Sequence, residues 1–209
     1  MGLDGIVNIE LSVMQTSETE DVAHILKKAH TNYYDLPPEQ YNQEELPKLV
    51  QELNQKDLVV VGKEGGLIVA AYDLPPFSAE NGSVVLGKVK AQDRMGYTTY
   101  HGLPDYFAVK QQGRGIGKSF FYVFTNMLEQ LALEVDKPVF HRPDVVHMAV
   151  QFFAKIGYEA RLVSPGVKFD YHVVEKVCYP KQHVFTPSEM DVLKAMRTAL
   201  QAHVQSVQK

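Results

Sequence analysis

The segment Gln111-Gln112-Gly113-Arg114-Gly115-Ile116-Gly117-Lys118-Ser119 constrains this chain more than any other. It follows the apolar run Tyr106-Phe107-Ala108-Val109 and leads into Phe120-Phe121, where a helical pattern begins. Three alternate glycines let the backbone turn tightly and bring bare amides close to a ligand. The helix that follows directs its unpaired N–H groups and the positive end of its dipole at the same place. A strand, a glycine turn and a helix N-terminus in that order can bind phosphates, and they call for an alternating α/β frame.

Phosphate loops differ in where their glycines must stand. A Walker A loop needs glycine at position 112 ahead of Gly117-Lys118-Ser119, and the chain has Gln112. A dinucleotide fingerprint needs a third glycine at position 118, which is Lys118. The spacing that fits is Q/R-x-x-G-x-G/A, met by Gln112, Gly115 and Gly117. Further on, Val146 to Tyr158 reads V-H-M-A-V-Q-F-F-A-K-I-G-Y, and Ala149, Phe152, Gly157 and the aromatic Tyr158 match the pattern N-x-x-A-x-x-F-Y-x-x-x-G-F. On these two ordered segments the chain resembles the GNAT superfamily of acyl-CoA-dependent N-acyltransferases, across about residues 6 to 177.

The resemblance implies an α/β fold in which a GNAT-like central mixed sheet is flanked by helices, over residues 1–178, with a C-terminal helical extension over 179–209. It implies acetyl-CoA as cofactor. Phe107, Ala108 and Val109 would lie along the pantetheine arm, Gln112, Gly113, Arg114, Gly115, Ile116, Gly117, Lys118 and Ser119 would surround the pyrophosphate, and Phe152 would join them from the second motif. A primary amine of a small-molecule acceptor would attack the thioester directly in a ternary complex. A backbone N–H near Val109 would meet the oxyanion, and loss of such a donor typically costs about 100- to 1,000-fold in rate. Tyr33, Tyr34 and Tyr100 are the expected acceptor contacts. The alternatives are a longer-chain N-acyltransferase and a non-catalytic acyl-CoA-binding sensor or assembly protein.

Two proton tasks accompany that chemistry, and the chain departs from the family at one of them. Phe153 stands where the family's acid is a tyrosine, and Val146 replaces its asparagine. A thiol is acidic enough, at a pKa of about 8.5, for its thiolate to leave without full protonation, and Tyr158 or Tyr122 are the substitute acids. The candidate bases are Asp105, whose side chain should share a strand face with Phe107 and Val109, and His141, at the end of the next strand. His141 and His147 stand six apart without a cysteine or carboxylate partner at helical distance, so no metal site is expected.

Composition narrows the partners. The 209 residues carry a formal net charge of −4, and their 21 lysines and arginines form no long run, which argues against a nucleic-acid or anionic-membrane surface. One cysteine, Cys178, excludes an intrachain disulfide framework. Residues 1–10 lack the basic and apolar regions of a signal peptide, and no apolar run approaches the roughly 18 residues of a membrane helix. The cytoplasm is the expected compartment.

The pattern predicts a strand over 6–14 and a helix capped by Ser17-Glu18-Thr19-Glu20, with Val22, Ile25, Leu26 and Ala29 on one face, ending near Tyr33-Tyr34. A second helix over 40–53 is kinked or restarted by Pro47. A hairpin turns at Lys63-Glu64-Gly65-Gly66. Strands follow over 83–90 and 105–109, with an extended connection over 92–103. A helix over 117–133, a strand over 138–141, a helix over 145–156 and strands over 161–163 and 169–177 complete the core. Phe120, Phe121, Tyr122 and Phe124 read as core filling. Thr186-Pro187-Ser188-Glu189 caps a final helix whose stripe Leu193, Met196, Leu200 and Val204 is a lid on the domain or a homodimer contact.

Overall fold

The computed structural model describes residues 7–34, 45–56, 58–92, 98–101, 106–165 and 170–207. In chain order these form β1 (Glu10–Val13), α1 (Thr19–Tyr34), α2 (Leu46–Leu53), β2 (Val59–Glu64), β3 (Leu67–Asp73), β4 (Phe77–Glu80), β5 (Ser83–Gly87), β6 (Val89–Gln92), β7 (Thr98–His101) and β8 (Tyr106–Val109). Then come α3 (Ile116–Val135), β9 (Val139–Arg142), β10 (Asp144–Val146), α4 (His147–Lys155), β11 (Glu159–Pro165), β12 (Asp170–Cys178) and α5 (Pro187–Val207). They divide into two compact units. One comprises Met1–Asp73, Tyr106–Val123 and Phe185–Met196, and the other Leu74–Asp105, Phe124–Val184 and Arg197–Lys209.

The first unit is built on an antiparallel sheet in the order β1-β2-β3-β8. The β2–β3 hairpin closes at Gly65 and Gly66, whose φ values of 57° and 83° suit the turn that follows the strand twist. On one sheet face, Val22, Ile25 and Leu26 of α1 meet Leu53 of α2 and Val59, Val61, Ile68, Ala71 and Ala108. On the other, Phe107 lies 4.6 Å from Phe121 and 5.0 Å from Phe120, ring centroid to centroid, with Tyr72 at 6.0 Å. Phe120, Phe121 and Phe124 are therefore core, whereas Tyr122 points outward.

Two helix starts differ from expectation. The capping box lies earlier than Ser17, because Glu18 accepts the Gln15 N–H at 2.9 Å and a short 3-10 turn over Thr16–Glu18 precedes α1. Lys63 holds Glu18 in place from the sheet at 2.6 Å, and the Thr19 hydroxyl is committed to the Thr16 carbonyl. Pro47 sits in the first turn of α2 and marks a new start, where its missing N–H costs nothing. The expected residues 40–44 of that helix lie outside the described residues.

The second unit holds a sheet in the order β10-β12-β9-β5-β4, with β11 also on β12 and a separate β6–β7 hairpin. β5 runs parallel to β9, and the other pairs are antiparallel. The single strand expected over 83–90 is broken at Gly87, which has φ 109° and passes so close to β9 that a Cβ would lie 2.3 Å from the Arg142 carbonyl oxygen. The connection expected over 92–103 contributes β7 instead. Val145, expected in a helix, is buried in the short strand β10 opposite His172, and α4 begins at His147.

The cap of α5 forms as expected, with the Thr186 N–H donating to Glu189 at 2.9 Å. Ser188 bonds Glu10 of β1. Along the stripe, Leu193 and Met196 are fully buried and Leu200 is nearly so, with Val192 buried beside them, so these residues are packed within the chain; the side chain of Val204 lies outside the described residues.

Candidate active site

Among the described residues β8 is the terminal strand of its sheet, and its register fixes which backbone groups face away from β3. The Lys110 N–H donates to the Val69 carbonyl at 2.8 Å, directly beyond the Val109–Ala70 pair. Hydrogen-bonded and non-bonded pairs alternate along an antiparallel ladder. Ala108 and Tyr106 therefore bond toward β3, while the amides and carbonyls of Phe107 and Val109 point to the side away from β3. Those groups present the half-ladder that an extended ligand arm would pair with.

The glycine turn begins one residue later. Gly113 and Gly115 take φ values of 82° and 78°, the left-handed region that glycine enters without a Cβ penalty. The Ser119 N–H donates to the Gly115 carbonyl at 3.0 Å, which makes Gly115 the residue that opens α3. The N–H groups of Ile116, Gly117 and Lys118 thus belong to the first turn of α3.

The turn's side chains divide into anchors and open groups. Ile116 and Ser119 are buried, and the Ser119 oxygen accepts the Val7 N–H at 2.8 Å. Ser119, expected to touch the cofactor, ties the turn to the N-terminal segment through this bond. Gln112, Gly113 and Arg114 are exposed. Arg114 reaches Glu64 at 3.0 Å beside a groove of about 520 Å³ lined by Glu64, Leu67, Val69, Lys110, Gln111, Arg114 and Ile116. Glu64 escaped the sequence motif because only the register of β3 with β2 and β8 brings it to the turn, whereas Lys110 directly precedes Gln111.

The other expected residues distribute as follows. Asp105 lies outside the described residues, as do the side chains of Tyr33 and Tyr34, whose backbone forms the last turn of α1. In the second unit, His141 is fully buried and its Nδ1 lies 2.6 Å from the Tyr158 hydroxyl. Burial, with the Lys176 charge as a smaller cause, pushes its pKa down to about 3. His141 is thus a neutral core histidine, and this corrects its candidacy as an accessible base. Its partner Tyr158 is itself engaged, with Phe153 packed edge-on at 5.1 Å and Phe152 against Phe153 at 5.2 Å.

Tyr100 is half-buried, and burial, then the charge of Glu175, raises its pKa. Near it lies a charge cluster that no sequence motif announced. Arg142, 1% exposed, bonds Glu175 and reaches Glu80 at 2.6 and 3.1 Å. Glu175 also accepts from Arg161 at 2.9 Å. Burial pushes Glu175 up, yet the bonds from Arg142 and Arg161 outweigh it and hold the carboxyl below its ordinary range.

No family model and no curated protein matches the sequence. Among solved structures, yncA of Salmonella typhimurium, described as an acetyltransferase and solved with its cofactor acetyl-CoA, aligns with a TM-score of 0.51 at 12% identity, covering 84% of this chain and 96% of that one. A Corynebacterium glutamicum protein described as a histone acetyltransferase and related acetyltransferase aligns with a TM-score of 0.51 at 10% identity, covering 85% and 99%. The chain has the GNAT fold. Within that GNAT fold the glycine turn stands between β8 and α3, where the motif Gln112, Gly115 and Gly117 places it. The expected mixed sheet flanked by helices is present as well.

Proposed function

We propose that this chain is an N-acetyltransferase that moves an acetyl group from acetyl-CoA to a primary amine of a small-molecule acceptor, in the cytoplasm. The observation that carries the reading is the continuity of outward-facing backbone. Groups of Phe107 and Val109 point away from β3, and the chain then turns at Gly113 and Gly115 into the N-terminus of α3. An extended arm ending in a pyrophosphate fits that sequence of donors, with Arg114 and Lys118 adding charge.

Bound acetyl-CoA supplies an acetyl group activated as a thioester. The Val109 N–H, fixed by the ladder, is the donor offered to the oxyanion as the amine nitrogen bonds to the carbonyl carbon. The carbon–sulfur bond then breaks. Loss of the nitrogen's remaining proton to solvent and uptake of one by the departing thiolate from solvent would need no acid from the chain, which agrees with phenylalanine at position 153. Asp105 is the proposed acceptor of the ammonium proton before attack. Tyr33, Tyr34 and Tyr100 are the proposed acceptor contacts.

A second reading, acyl-CoA binding without turnover, is favoured by one observation: Phe153 is buried against Tyr158 and offers no hydroxyl. Thiol release from acetyl-CoA against a panel of amines separates the two. Release with at least one amine, lowered by Asp105→Asn at unchanged CoA affinity, supports the enzyme. Tight binding with no release on any amine supports the sensor.

A further inference from the structure

His147 opens α4 and His172 lies on β12, 25 residues away in sequence. The β10–β12 ladder sets Val145 opposite His172, and α4 starts two residues beyond Val145, which brings the two rings together at the surface. His147 Nδ1 and His172 Nε2 are 3.0 Å apart, with ring centroids separated by 5.0 Å and planes inclined at 45°. We propose that His147 and His172 form a two-ligand site for a late first-row divalent ion, namely Zn2+, Ni2+ or Cu2+.

The geometry carries this further than a hydrogen bond does. Two imidazole nitrogens bound to one ion at about 2.0–2.1 Å stand about 2.9 Å apart across a right angle and about 3.3 Å apart across a tetrahedral one. The observed separation falls between the two, so small rotations of two surface rings suffice. An ion bound between the two nitrogens requires each ring to carry its proton on the other nitrogen, which fixes the tautomers needed. Imidazole donors select zinc, nickel and copper over magnesium or calcium, which prefer oxygen.

Among the described residues no third histidine, cysteine, aspartate or glutamate joins the pair. The remaining coordination positions go to water or a small ligand, so the site is of the open kind. Sequence could not show it, because His147 pairs with a residue on another strand rather than with His141.

Calorimetric titration of the full chain with NiCl2 and ZnCl2 tests the site directly, against His147→Gln and His172→Gln. One ion per chain is expected, with each variant weakened at least about tenfold because one of two ligands is gone. An ion linking β12 to α4 also stabilises the fold, so saturating Ni2+ raises Tm by roughly 5 °C in the parent and not in the variants. Substoichiometric Cu2+ is expected to broaden the imidazole NMR signals of His147 and His172 first, a reading that needs no variant. Absence of binding up to about 1 mM, equal affinity in both variants, or broadening centred on other histidines overturns the proposal.

Discussion

Arg114 in the glycine turn is tied back to Glu64 at the end of β2, with Nη2 3.0 Å from the carboxylate. The pair stands beside the groove that the turn lines, so an arriving diphosphate competes with Glu64 for the same guanidinium and meets its negative charge. Glu64→Gln is predicted to tighten CoA binding by about two- to fivefold at low salt, the modest range of half-exposed ion pairs, and the gain shrinks as salt is added. Arg114→Ala is predicted to weaken binding. Titration calorimetry at two ionic strengths measures both effects.

His141 makes acid stability a second test. Its folded pKa of about 3 lies below the ordinary 6.5, so between those values the unfolded chain takes up a proton that the native core refuses. Native stability contributed by the neutral ring is complete above about pH 6.5 and is lost toward pH 3, at up to about 1.4 kcal/mol per pH unit. Urea unfolding at pH 7.5 and pH 5 is predicted to show that loss, and His141→Asn is predicted to flatten it while lowering stability at pH 7.5.

The Arg142 cluster predicts a large stability effect away from the turn. Removing the guanidinium leaves Glu175, 3% exposed, buried with one fewer cation, and breaking such a pair typically costs about 3–5 kcal/mol. Arg142→Leu is predicted to lower Tm by roughly 10 °C in thermal unfolding, given about 2–4 °C per kcal/mol at this size.

What the sequence revealed and what it hid follow from range. Gln112, Gly115 and Gly117 are local spacing, so the turn, the strand before it and the helix after it could be read directly. The stripe Val22, Ile25 and Leu26 was legible for the same reason. Gly87 sits inside a strand pattern, since its demand for glycine comes from Arg142, 55 residues away on β9. Likewise β10 took Val145 from a helical pattern through pairing with His172. His141 looked like a base from its place at a strand end, yet Tyr158 and Phe124 close around it, and burial depends on partners that local pattern does not name.

The central claim is that the turn from Gly113 to Lys118 holds acetyl-CoA, and calorimetric titration of the chain and of Gly115→Glu with acetyl-CoA tests it most directly. One-to-one binding by the parent and none by the folded variant, whose carboxylate and left-handed φ of 78° oppose the pyrophosphate, is the predicted result. No binding by the parent, or equal affinity in the variant, contradicts it.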